Sequence, residues 1–134
     1  ALPEDEYKKL KAAKNYRSAS MMLRQVQFST IDLELHAHFE PGQGETVFER
    51  DAKLAAKTSV MPPFPGDRFL CAFAHIFAGG YSAGYYSYKW AEVLSADAFA
   101  AFEEVGLDDD AAVVTMGRRF RDTVLALGGS VAPA

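Results

Sequence analysis

Apolar residues along this chain recur at spacings of three and four, and glycine or proline interrupts each run. That pattern is the signature of amphipathic helices, and no segment alternates with the period of two that a half-buried strand requires. The chain therefore reads as all-α. Pro3 and the acids after it suit the first turn of a short helix ending near Ala13. A longer helix is expected from about Asn15 to Phe39. Tyr16, Leu23, Val26 and Leu33 mark one apolar face, and Phe28, Ile31, Leu35 and Phe39 mark a second. A helix apolar on two sides is expected to be buried on two sides. Pro41-Gly42-Gln43-Gly44 stops it. Glu45 to Lys57 reads as a more exposed helix with Phe48, Leu54 and Ala55 inward. Met61-Pro62-Pro63-Phe64-Pro65-Gly66 can only be loop. A further helix is expected from about Ser82 to Glu104, with Gly106 closing it. Asp108-Asp109-Asp110 then cap a last helix carrying Val113, Met116, Phe120, Val124 and Leu127.

Charge and cysteine content narrow the function classes. Eighteen acids against fourteen bases leave a net charge of −4, the wrong sign for a phosphate-contacting surface, so no nucleic-acid partner is expected. An anionic membrane surface is disfavoured on the same ground. The single Cys71 supports neither an internal disulfide nor a thiolate zinc site. Ala1 to Glu6 is acidic and polar, unlike a secretory leader. Phe69 to Tyr88 is long enough to span a membrane and lacks Asp, Glu, Lys and Arg. It nevertheless holds three glycines, four tyrosines, two serines and a histidine, so no membrane span is expected.

Three histidines raise the question of a metal. His36 and His38 stand two apart, which on a helix aims them roughly 200° from each other. Cys71 and His75 fill only half a tetrahedral site, and no H-E-x-x-H occurs. No metal ligands are assigned in this segment. The informative stretch is His75-Ile76-Phe77-Ala78-Gly79-Gly80-Tyr81-Ser82-Ala83-Gly84-Tyr85-Tyr86-Ser87-Tyr88. Two adjacent glycines allow positive φ and movement. If the helix begins early, Tyr81, Tyr85 and Tyr88 project from one face and Tyr86 from another. Phenols are neutral donors near neutral pH, suited to stabilising an oxyanion. Phe69, Phe73 and Phe77 read as core. For the tyrosines, core and ligand-gripping roles both stand, since every buried hydroxyl needs a partner. Arg118, Arg119 and Arg121 read as a solvated helix face.

The run HIFAGGYSAGYYSYKWAEVLSADAFAAF, from His75 to Phe102, closely resembles the C-terminal part of the thimet oligopeptidase and oligopeptidase A family of zinc metallopeptidases. The likeness reaches back through Ala12-Ala13-Lys14-Asn15-Tyr16, Leu23-Arg24-Gln25 and Leu35-His36, and forward to Gly128-Gly129-Ser130. It looks most like the oligopeptidase A branch, and the Pro-Pro-x-Pro and Lys-Trp-Ala-Glu-Val-Leu-Ser-Ala-Asp wording is similar to plant and algal members.

The resemblance implies a soluble intracellular enzyme, of the cytosol or of an organelle such as the chloroplast or mitochondrion, that cuts short peptides between two mostly helical lobes. Residues 1–134 would be the C-terminal part of its catalytic domain. Zinc would belong to the full-length enzyme, held by an H-E-x-x-H helix and a further glutamate that precede this region. Within this segment the resemblance assigns catalytic roles to His75, Tyr85 and Tyr88, with Tyr81, Gly79 and Gly80 contacting substrate on a mobile loop. The segment alone is then expected to bind no zinc and to be inactive. A non-catalytic helical module that binds peptides or a partner is the alternative. The apolar faces of the long helices imply cover by the remainder of the enzyme or self-association.

Overall fold

A computed structural model describes residues 2–132, and every regular element among them is helical. The chain divides after Ser87 into two compact units. In the first, α1 (Glu4–Lys14) exposes all of its residues, and Arg17, at φ 57°, separates it from α2 (Ser18–Ala37). α3 (Val47–Thr58) packs back on α2, and a short α4 (Phe69–Ala72) leads into a 3₁₀ turn at Ala74–Ile76. The second unit holds α5 (Ser87–Val105) apart from its first residue, then α6 (Asp110–Phe120), which runs into a π-helical turn at Arg121–Leu125.

The core of the first unit explains why α2 is its spine. Phe28 and Ile31 of α2 meet Leu70, Phe73, Ile76 and Tyr85, with Leu35, Val47, Leu54 and Phe69 packed around them. Phe28 stacks on Phe69 at 4.7 Å, leans on Phe73 at 5.0 Å and takes the edge of Tyr85 at 5.7 Å. Edge-on and offset contacts of this kind add to the burial of the rings themselves. α3 is held to α2 by polar groups as well as apolar ones. Arg50 reaches Glu34 of α2 at 2.9 Å and Glu45 at 3.0 Å, while Gln27 donates to Asp51 at 3.0 Å. A capping box starts α3: the Thr46 hydroxyl accepts from the Glu49 amide, and the Glu49 carboxylate accepts from the Thr46 amide.

Several sequence expectations change here. α2 buries the Phe28–Leu35 side, but Leu23, Val26 and Leu33 are exposed, so its second apolar face is uncovered; Tyr16 lies in the turn before it. Phe48 faces outward beneath the Arg68 guanidinium, at 4.8 Å, while Ala55 and Leu54 do turn inward. Phe77 is 54% exposed rather than core. The largest shift is at α5, which starts at Ser87 and not near Ser82. The amides of Ala83 and Tyr85 donate to the Asp32 carboxylate. Ala83 sits at φ 54°, outside the right-handed helical region. The five residues 82–86 form a turn held to α2, and the right-handed helix starts only after it.

In the second unit no helical residue is buried. Asp109 caps α6 by accepting from Ala111 and Ala112 at 3.0 Å each, and Phe102 meets Phe120 edge-on at 6.5 Å. Trp90 (65% exposed), Val93 and Leu94 leave one apolar face of α5 open, and Phe99 is exposed on the opposite side.

Candidate functional site

The site grows from the 3₁₀ turn that carries His75. Phe73 and Ile76, one on each side of it in sequence, are both buried, so the turn is riveted to the core while the His75 ring stays exposed. The chain then doubles back. Gly79 donates to the Ala74 carbonyl at 2.7 Å, Tyr81 to the His75 carbonyl at 3.0 Å, and the Ser82 hydroxyl to the Ile76 carbonyl at 2.7 Å. Glycine is required at 79 by close approach: a Cβ there would lie 2.7 Å from the His75 Cα. At Gly80 it is required by a φ of 82°. The loop thus folds onto the turn that bears the histidine, and two successive glycines make the fold-back possible.

This fold-back brings three of the expected side chains together. The His75 ring lies 6.3 Å from that of Tyr81 and 6.1 Å, edge-on, from that of Tyr85, with Phe73 at 5.6 Å. Their environments differ. His75 is exposed, Tyr81 is half-buried, and Tyr85 is only 8% exposed. The Tyr85 hydroxyl donates to Gln25 Oε1 at 3.2 Å, the partner that its burial demands. Burial pushes the Tyr85 phenol above its ordinary value of 10.0, and the Arg24 guanidinium pulls part of the way back. The phenol is therefore a neutral donor throughout the physiological range. Tyr88 sits on the first turn of α5 in the second unit, with its ring partly exposed, and Tyr86 is exposed on the loop. Because residues 81–86 are not helical, Tyr81, Tyr85 and Tyr88 do not form a stripe on one helix face.

One residue central to this geometry carries no signal in the local motif. Asp32 of α2 is fully buried, and its two carboxylate oxygens accept from Ala83 and Tyr85 at 2.9 Å each. Its trace in the sequence is a carboxylate at position 32 on the Phe28–Leu35 face, where an apolar residue is the rule. His36 Nδ1 lies 2.9 Å from Asp32 Oδ1 and 2.8 Å from the Asp32 carbonyl. His38 ends α2 as its C-cap residue. Among the described residues no three or more His, Cys, Asp or Glu side chains gather where they could hold a metal ion. Nor, among those residues, is any helix long and apolar enough to cross a membrane.

The sequence model of Peptidase family M3 matches residues 1–134. The chain belongs to peptidase family M3. Among its M3 relatives, a probable cytosolic oligopeptidase A of Arabidopsis thaliana is 64% identical over 132 residues, 98% of this chain and 19% of the relative. The organellar oligopeptidase A, chloroplastic/mitochondrial, of the same plant is 61% identical over 98% of this chain and 17% of its own length. Oligopeptidase A of Escherichia coli (strain K12) is 47% identical over 98% of this chain and 19% of its own length. The chain thus spans about a fifth of the length of these M3 relatives.

Proposed function

We propose that this chain is the substrate-gripping wall of a zinc oligopeptidase, a hydrolase that cleaves short peptides. The observation that carries the reading is the cluster of His75, Tyr81 and Tyr85 around the Gly79-Gly80 fold-back, in a chain that belongs to family M3 throughout. The names of its plant and bacterial relatives support the peptide substrate. In this reading the exposed His75 imidazole and the phenols of Tyr81 and Tyr88 meet the peptide backbone, and Gly79 and Gly80 let the loop close on it. Tyr85 and Tyr88 supply neutral donors to a carbonyl oxygen as it gains negative charge. Donors fixed in advance at that position account for a large share of rate acceleration in acyl-transfer enzymes. Tyr85 must exchange its Gln25 partner for substrate to take that role. Among the described residues no cluster of side chains fits a zinc site; the reading gives the metal to other parts of the enzyme and gives residues 1–134 binding and orientation. We place the whole enzyme in the cytosol or an organelle, as the names of the two plant relatives do for those proteins.

Two measurements test this. The full-length protein should cleave a quenched short peptide, lose that activity to a chelator and regain it with zinc. The isolated chain, dialysed, should retain no stoichiometric zinc and cleave nothing. Hydrolysis by the isolated chain with one tightly bound zinc would refute the division of labour. Peptide binding without hydrolysis by the full-length protein would favour a binding module.

A further inference from the structure

We propose that Asp32 is the positioning residue of the tyrosine loop: its buried carboxylate clamps the Ala83 and Tyr85 amides and so sets where Tyr81 and Tyr85 stand relative to His75. The proposal rests on the reading that this loop meets substrate.

The contacts are long-range, joining α2 to residues 51 and 53 positions further along the chain. Each carboxylate oxygen takes a different amide, so the pair fixes the loop's orientation as well as its position. Ala83 is held at φ 54°, a conformation that an L-residue other than glycine keeps only where its surroundings impose it. The other side of the clamp is His36. Both atoms within reach of its Nδ1 are acceptors, so Nδ1 carries a hydrogen and donates to Asp32. The same ring lies 5.9 Å from that of Phe77, at the loop's beginning. Asp32 and His36 therefore touch the loop at both ends, with Gly79 and Gly80 between. A fully buried carboxylate is a poor way to gain stability alone, because desolvation offsets most of what its partners return. What it adds over an apolar residue is a defined geometry, and a reacting group displaced by 1 Å costs about a hundredfold in rate.

Asp32→Asn tests this in the full-length protein. It keeps size and one acceptor, but its NH₂ must face an amide donor whichever way the group turns. We expect kcat to fall about tenfold to a hundredfold with KM changed far less, and hydrogen exchange at Ala83 and Tyr85 to accelerate. His36→Phe keeps a ring for Phe77 and removes only the donor to Asp32, so it should give a smaller loss weighted toward kcat in the same way. Faster exchange with unaltered kcat, while His75→Ala and Tyr88→Phe lose turnover, overturns the positioning role and leaves the site reading intact. If none of these variants changes turnover, the site reading itself fails. Should Asp32→Asn not fold, the unaltered protein decides: protected Ala83 and Tyr85 amides support the clamp, and exchange at free-peptide rates overturns it.

Discussion

Replacing Gly79 with alanine should damage this site more than replacing Gly80, although Gly80 has the less ordinary backbone. A Cβ on Gly79 would stand 2.7 Å from the His75 Cα and 3.0 Å from the carbonyl oxygens of Ala74 and His75. Carbon atoms in contact prefer about 3.5–4.0 Å, so roughly 1 Å must be found. No side chain can rotate away, since every atom met is backbone. The same two carbonyls accept the Gly79 and Tyr81 amides, so moving them also strains those bonds. Overpacking of this kind costs about 1–3 kcal/mol, and a weakened hydrogen bond adds about 1 kcal/mol. Reduced freedom in the unfolded chain returns about 0.4–1 kcal/mol. The net expectation is a loss of about 1–3 kcal/mol, with His75 displaced. At Gly80 the added Cβ meets nothing within 4 Å, and the penalty is the positive φ alone, about 1–2 kcal/mol before the same return. Urea unfolding of both variants, with peptidase kinetics in the full-length protein, separates the two effects. Gly79→Ala should lower kcat about a hundredfold through the shifted histidine, and Gly80→Ala far less. A Gly79→Ala protein within about 0.5 kcal/mol of the parent, with normal turnover, would refute the close-packing argument.

Other outcomes follow from the same structure. Thr46→Ala should destabilise α3 by about 1 kcal/mol through loss of its cap, as read by thermal unfolding. Hydrogen bonds from the Thr46 amide and hydroxyl hold Glu49 below its ordinary 4.5, so the capping box contributes above that value and is lost as pH falls through the lowered one; Glu49→Gln should flatten this acid dependence. Tyr85, raised above 10.0 by burial, keeps its proton longer when folded than unfolded, so stability falls as pH climbs past 10. Melting temperatures of Tyr85→Phe measured between pH 8 and pH 11 should show a shallower alkaline decline, and an unchanged slope would deny the burial effect. The isolated chain should self-associate at micromolar concentration through faces such as Trp90, Val93, Leu94 and Phe99, and Val93→Glu should weaken it; a monomer by sedimentation would contradict this.

Helix existence was legible in the sequence because it rests on local spacing, and so were the stops at Pro41-Gly42 and Gly106. The Gly79-Gly80 turn was legible as a turn, and its two glycines prove necessary for different reasons, close approach and positive φ. The start of α5 was not legible. Residues 82–86 have nothing against helix but one glycine, and neither the positive φ at Ala83 nor the bonds from Ala83 and Tyr85 to a carboxylate about fifty residues away shows in the local sequence. Asp32 itself escaped notice because motif reading favours clustered polar residues, whereas its partners are backbone amides that no sequence displays. Phe77 and Phe48 were misplaced for a related reason: periodicity ranks faces by greasiness and cannot tell which face finds a neighbour. The gathering of His75 with Tyr81 and Tyr85 follows from the fold-back of a loop, and the helix face expected to carry Tyr81, Tyr85 and Tyr88 is missing because residues 81–86 are not helical.

We propose that the phenols of this segment act on the transition state of peptide cleavage. The most direct test is steady-state kinetics of Tyr88→Phe beside Tyr86→Phe in the full-length protein, on one short peptide. Loss of an oxyanion donor at Tyr88 should lower kcat by about 10²–10³ with little change in KM, while Tyr86→Phe stays near the parent. Equal and small effects at Tyr81, Tyr85, Tyr86 and Tyr88 would contradict an oxyanion role for the tyrosines.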